Sequence, residues 1–419
     1  MKSYDLIIVG GGLTGVCASV AASRAGLKVL LTEKSGTLGG AMSNSLVYPF
    51  MAYWTNNKET NEKQYLSGGI FREMLDKQKV YGIDKDDMNF SPEHFKFILD
   101  EITTDAGVDV LFHTVLYDVV KEERSIKSIR VISGSEKMEL NADYFIDTTG
   151  DGNLFYMAGC DYTLGRASDN LCQPMTTCFR MSGVDTKLFI EEKANIQKLY
   201  KEYQSKGDIT NPREDILVFF GIGEGIVHFN TTRIIKLNPT DPFDVSKAEK
   251  DARAQIVELT RFLKMVSPAF KNSTIISIAS DIGIRESRKL CGEYILTEED
   301  LKECKKFDDG IALGNYDIDI HNPSGSGTSH YYFKPGEYYS IPYRSLLPKE
   351  FDNMLVAGRC ISATHEAQAS VRIMPICACM GEAAGTAIAV AKKTGTDTHS
   401  LDTKILKETL KVNSAILEI

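Results

Sequence analysis

The 419-residue sequence predicts an α/β fold in which both chain ends build one domain and an α+β segment is inserted between them. Three observations carry this reading. A strand–turn–helix–strand pattern opens the chain. Mixed strand and helix patterns fill the middle. The small-residue α/β character then returns from "NMLVAGRC" onward. The expected division is 1–160 for the first part of the two-ended domain, 161–344 for a substrate or cap domain, and 345–419 for the C-terminal part.

"YDLIIVG" is a short apolar run suited to a buried parallel strand, and "GGLTG" reads as a turn. "VCASVAASRAG" is a helix of small residues ending at Gly26, with Cys17 as core filler, and "KVLLTEK" is the second strand. "SPEHFKFILDEITTDAG" predicts a helix with Ser91 as N-cap, Pro92 at its first position and Gly107 at its end. Alternating runs over 108–147 predict strands. In the middle, "DVSKAEKDARAQIVELTRFLKMV" predicts a helix opened by a capping box of Ser246 and Glu249. "NPSGSGTS" predicts a flexible loop. "MPICACMGEAAGTAIAVAKKTG" predicts a helix started by Pro375 and capped by Gly395. Gly381 and Gly385 share a face of it, so something must approach that face closely, either packed backbone or a ligand.

A net charge of -9 with no Lys/Arg block argues against a nucleic-acid partner. Neither long apolar stretch has the length and continuity of a membrane span, and no signal peptide pattern is present, so a cytoplasmic protein away from membranes is expected. Nine cysteines without any C-x-x-C predict reduced thiols rather than a disulfide framework or an iron–sulfur run. No His/Cys/carboxylate set has ligand spacing, so no metal is expected.

"VGGGLTG" holds G-x-G-x-x-G as Gly10, Gly12 and Gly15, between a strand and a helix, and Glu33 ends the next strand. Gly10 permits the turn, Gly12 admits a pyrophosphate to the backbone, and Gly15 lets helix and strand pack closely. The helix N-terminus stabilises the anion, while Glu33 accepts ribose hydroxyls and repels a 2′-phosphate. The domain is therefore expected to be Rossmann-like and to bind a dinucleotide. No second such turn follows a strand, so a separate nicotinamide domain is not expected.

"IIVGGGLTGVCASVAASRAGLKVLLTEKSGTLGGAMS" resembles the opening of FAD-dependent oxidoreductases of the glutathione-reductase-like superfamily. "GVDVLFHTVLYDVV", "ADYFIDTTGDGNLFYMAGCDYTLGR", "SDIGIRESRKLCGEYILTEED" and "VAGRCISATHEAQASVRIMPICACMGEAAGTAIAVA" are similar to the FAD-dependent oxidoreductase domain family, which includes a relative of the flavin subunit of heterodisulfide reductase. The resemblance spans nearly the whole chain. It implies an FAD enzyme with a small-molecule substrate and an electron acceptor or donor that it leaves unnamed, as it does the oligomeric state.

By that resemblance Gly10, Gly12, Leu13, Thr14, Gly15 and Glu33 hold the ADP half of FAD, with Lys34, Leu38, Gly39 and Gly40 near the pyrophosphate and ribityl chain. Val115 offers main-chain contacts to adenine. Thr149, Gly150 and Asp151 meet the cofactor at the end of "DYFIDTTGD", where Asp147 reads equally as a cap. Gly358 precedes Arg359, at a position where many members of the superfamily carry an acidic residue. The N-terminus of the last long helix, Met374, Pro375 and Ile376, would face the flavin pyrimidine and stabilise its anionic reduced form.

Hydride chemistry at flavin N5 needs a proton carrier and cations to fix a polar substrate. His365, Arg372, Arg285, Arg288 and His330 are the candidates, with Asp319 and His321 beside them. The leading expectation is an oxidoreductase acting on a small polar substrate. The alternatives are a monooxygenase using NAD(P)H and oxygen, or a flavoprotein passing electrons to a protein partner.

Overall fold

The computed structural model describes residues 3–83 and 87–419. Its central sheet draws strands from both chain ends. Five segments run parallel, in the order Asp109–Leu111, Val29–Thr32, Tyr4–Val9, the second half of Glu136–Asp147, and Met354–Val356. Ile146 is the hinge of the register, pairing with Ile8 on one side and Leu355 on the other.

The strand Glu136–Asp147 does two jobs, and its sequence shows why. Up to Asn141 it alternates exposed and half-buried residues and pairs antiparallel with Ser125–Ser133, which in turn pairs with Thr114–Glu122. From Phe145 onward it is fully buried between parallel neighbours. A one-sided strand reads as alternation, and a strand covered on both faces reads as a continuous apolar run.

A separate antiparallel sheet runs Val218–Phe219, Val227–Phe229, Phe179–Ser182, Thr274–Ile278. Helices Thr186–Lys206 and Pro242–Val266 cover it. Its core is aromatic, with Phe179 stacked on Phe229 at 4.6 Å between centroids. This is the inserted α+β layer. Packing shifts back earlier than 344, because Leu296, Ile311, Ile341 and Tyr343 belong to the same core as the first and last long helices.

Local signals are revised at two helix starts. Pro242–Val266 begins five residues ahead of the expected box, because Asp241 accepts the N–H groups of Phe243 and Asp244. Asp-Pro makes a strong start, so Ser246 lies inside the helix and donates to the Pro242 carbonyl at 2.6 Å. Glu249 accepts instead from the Ile282 N–H, at 2.6 Å. Helix Pro92–Asp105 starts where expected, yet Ser91 spends its hydroxyl on His94 Nδ1 at 2.8 Å rather than on a backbone N–H.

The helix Met374–Thr394 crosses the first helix, Leu13–Arg24. It is long and apolar enough to cross a membrane, and it is mostly buried within the protein. Backbone is what approaches its glycines: a β-carbon on Gly381 or Gly385 would stand 2.1 Å from the carbonyl oxygen of Thr14 or Ala18.

Candidate active site

A cleft of about 1170 Å³ opens where the carboxyl ends of the parallel strands meet the second sheet, the place where open α/β sheets bind ligands. Its floor is the glycine turn. Gly10 has φ +107° and a β-carbon there would meet Thr148 at 2.5 Å, so only glycine makes this turn. A β-carbon on Gly12 would meet nothing within 4 Å, and the residue lines the cleft. That open space above a helix N-terminus, with no side chain capping it, is the cradle a pyrophosphate requires.

Glu33 shapes the turn from the neighbouring strand. Its carboxylate accepts from Gly11 N at 2.7 Å and from Ser35 N at 2.8 Å. Both oxygens keep lone pairs for ribose hydroxyls. Leu13, Thr14, Lys34, Gly39, Gly40, Thr149, Gly150, Asp151, Arg359 and Met374 also line the cleft. The donor set fits FAD: backbone N–H groups at a helix start, a carboxylate for ribose, and a second uncapped helix N-terminus at Met374.

Other expected cofactor residues stand behind this surface. Gly15 packs under Gly10, where a β-carbon would be 1.9 Å from the Gly10 carbonyl oxygen. Leu38 is buried beneath Gly11. Gly358, at φ +88°, backs onto Thr14, and Pro375 and Ile376 are buried in the first turn of their helix. Val115 is half-exposed and outside the cleft lining, one residue beyond the Thr114 N–H that bonds the Glu33 carbonyl at 2.9 Å. Asp147 is a cap: it accepts from Thr149, Leu154 and Phe155 N–H groups.

Arg359 takes its carboxylate from within the fold. Its Nη2 lies 2.7 Å from Asp151 Oδ1, and its Nη1 donates to Ser287 at 3.0 Å. The arginine holds the Asp151 carboxyl below its usual range despite burial.

Of the candidates for chemistry, Arg285, Arg372 and His330 line the cleft. Two do not. Arg288 turns away to stack on Tyr156, 4.0 Å from the ring centroid, and donates to the Asp151 carbonyl. His365 is drawn into the interior by Glu286, whose carboxylate lies 2.7 Å from its Nδ1. The same carboxylate holds Lys289 at 2.5 Å. Lysine and glutamate are both at most 1% exposed on their side chains, so this is a buried charge network that occupies His365 structurally.

The hairpin Ile318–His321/Thr328–Tyr331 supplies the opposite wall, with the glycine- and serine-rich 322–327 as its tip. Cross-strand pairing sets Asp319 against His330. One oxygen each of Asp317 and Asp319 and one His330 nitrogen come within 4.8 Å of one another, which sequence spacing had not foreshadowed. Arg372 Nη2, 3.7 Å from Asp319 Oδ2, places positive charge beside them. Tyr316 and Arg213 also line the cleft. No motif or period marks either one.

A Rossmann-type sheet with an uncapped helix N-terminus at its glycine turn, a carboxylate at the end of the next strand and a charged opposite wall is the arrangement of a dinucleotide-binding protein. The chain belongs to the FAD dependent oxidoreductase family, whose profile matches residues 5–410, and its cofactor is FAD. It is 27% identical over 154 residues to mitochondrial dihydrolipoyl dehydrogenase of Schizosaccharomyces pombe, covering 35% of this chain and 28% of that one. It is 26% identical over 161 residues to dihydrolipoamide dehydrogenase of Chaetomium thermophilum, covering 38% and 29%. The chain thus aligns with under a third of the length of these curated relatives. Among solved structures, p-nitrophenol 4-monooxygenase from Pseudomonas putida is similar with a TM-score of 0.49 and 11% identity, over 98% of this chain and 84% of that one.

Proposed function

We propose that this FAD-dependent oxidoreductase acts on a small polar molecule by hydride transfer at flavin N5, with its substrate held between the FAD cradle and the wall formed by Arg285, Arg372, Asp319 and His330. The observation that carries this reading is the placement of these charged groups in the same cleft as Gly12 and Glu33. Bound FAD supplies the two-electron chemistry. Glu33 and the N–H groups after Gly12 would bind its adenosine and pyrophosphate. The helix starting at Met374 would turn its positive end toward the flavin, since Ile373 and Met374 line the cleft and no side chain caps them. Arg372 and Arg285 would orient the substrate, while Asp319 and His330 would accept or hold protons at its polar groups.

The test is anaerobic mixing of the yellow holoprotein with panels of hydroxy acids, amines and sugars. Bleaching of the flavin by one class supports the reading. Bleaching only by NAD(P)H, followed by an oxygen adduct, would assign the monooxygenase instead. Co-purification of a redox partner, with no bleaching by small molecules, would favour the electron-transfer role that the likeness to the heterodisulfide reductase flavin subunit implies. A colourless protein that takes up no FAD would overturn all three.

A further inference from the structure

Among the described residues, four arginines line the cleft: Arg213, Arg285, Arg359 and Arg372. Three face a carboxylate. Arg213 Nε lies 2.8 Å from Asp215, Arg359 Nη2 lies 2.7 Å from Asp151, and Arg372 Nη2 lies 3.7 Å from Asp319. Arg285 forms no ion pair with any described residue. Its Nη1 donates to the Pro174 carbonyl at 2.7 Å and its Nη2 to Asn230 at 3.4 Å, although the residue is only 8% exposed. A buried guanidinium without a counter-ion is costly. Burial and the neighbouring Arg372 charge both pull its pKa down. These four arginines therefore exceed their carboxylate partners by one positive charge.

A second observation is independent of that balance. Arg372 Nε and Asp319 Oδ1 are both buried, and neither has a hydrogen-bond partner among the described residues. One is a donor and the other an acceptor. The state of Asp319 follows from its surroundings. Arginine only donates, so Arg233 Nη2, 2.9 Å from His321 Nδ1, makes that nitrogen an acceptor. The His321 proton then sits on Nε2, which is 3.3 Å from Asp319 Oδ2. Tyr316 donates to the same oxygen at 3.1 Å. Burial opposes ionisation, but the His321 hydrogen bond and the Arg372 and Arg285 charges outweigh it and keep Asp319 ionised, its pKa well below the usual carboxylate range. Oδ1 is thus a fixed, unfilled acceptor, and His330 Nδ1 stands off at 3.8 Å.

We propose that the cleft is built for a small 2-hydroxy acid, its carboxylate received by Arg285 and Arg372 and its hydroxyl donated to Asp319 Oδ1. Such a molecule presents an anion and a hydrogen-bond donor on adjacent carbons, and it brings the single negative charge that Arg285 lacks. A 2-amino acid offers the same spacing, and its ammonium group can donate to Asp319, but with no net charge it leaves the one-charge arginine excess uncompensated. A plain carboxylate leaves Asp319 Oδ1 unfilled; an alcohol leaves Arg285 uncompensated. Leaving a buried polar group unpaired is what gives such sites their selectivity. This inference rests on the oxidoreductase reading above and names its substrate class.

Equilibrium titration of the FAD-loaded protein with 2-hydroxyhexanoate, hexanoate, norleucine and hexanol tests it, read by calorimetry and by perturbation of the flavin spectrum. The hydroxy acid is expected to bind at least about tenfold more tightly than each of the other three. Arg285→Gln should remove that advantage over hexanol, and Asp319→Asn should narrow it over hexanoate. Retained flavin colour and an unchanged melting profile certify that each variant is folded. Equal binding of hexanoate or norleucine by the unmodified protein overturns the proposal without reference to any variant, as does failure of all four to bind. In either case bound FAD would leave the oxidoreductase reading standing, whereas absence of FAD would remove both.

Discussion

Gly381 lies directly against Thr14: a β-carbon at Gly381 would stand 2.1 Å from the Thr14 carbonyl oxygen. Gly385 meets Ala18 in the same way one turn along both helices. The last long helix is therefore locked by backbone contact to the helix whose N-terminus forms the anion cradle. In an open helix, Gly→Ala gains about 1 kcal/mol. Here overpacking should reverse the sign.

Gly381→Ala is expected to lose about 1–3 kcal/mol of stability and to weaken FAD retention, because it displaces Thr14. Gly385→Ala should lose similar stability with less effect on FAD. Denaturant unfolding alongside flavin fluorescence measures both. A stabilised Gly381→Ala protein would contradict the contact.

Glu33 is expected to matter through the turn as well as through ribose. It receives the Gly11 and Ser35 N–H groups, and hydrogen bonds to charged groups are worth about 1.5–3 kcal/mol each. Glu33→Ala should raise the FAD dissociation constant by about tenfold or more, as read by fluorescence titration of the apoprotein. An unchanged constant would exclude this role.

Glu382 couples pH to stability. It is buried against the start of helix Gly69–Lys77 and accepts the Ile70 N–H at 3.0 Å. Burial pushes its pKa up to about 7 from an ordinary 4.5. The folded state then binds the proton more tightly than the unfolded chain. Its contribution is greatest below about 4.5, falls as pH rises toward 7, and is level above that. Glu382→Gln should flatten this part of the stability profile, so that the difference between the proteins grows from pH 4.5 to 7. Parallel profiles would refute the assignment.

Glu286 should be worth more to the fold than His365. Removing it leaves Lys289, 1% exposed, as a buried unpaired charge, which costs about 3–5 kcal/mol. Glu286→Ala should therefore melt far below His365→Asn. A histidine variant more damaging to stability than the glutamate variant would contradict this ordering.

Much of the cofactor half was legible because its signals are local. Gly10, Gly12, Gly15 and Glu33 lie within one βαβ unit, where spacing along the chain sets spacing in the fold. Pro375 and Gly395 bound their helix for the same reason. Ser246 misled because a stronger cap, Asp241, precedes it by five positions. The role of His365 was not legible, since its partner Glu286 lies 79 positions earlier in the chain. Asp319 and His330 were both visible as residue types, but their pairing needed the hairpin register.

The sequence by itself determined that this chain makes a Rossmann-type turn with a carboxylate beside it, and that a small-residue helix must meet something closely. Only the tertiary structure decided that this something is the backbone of Thr14 and Ala18, that Arg288 and His365 turn away from the cleft, and that Arg285 has no counter-ion among the described residues. The physical reason is that turns and helix caps are satisfied by near neighbours in the chain. Buried charges are satisfied by whichever groups the fold brings within a few ångströms, and the sequence does not order those encounters.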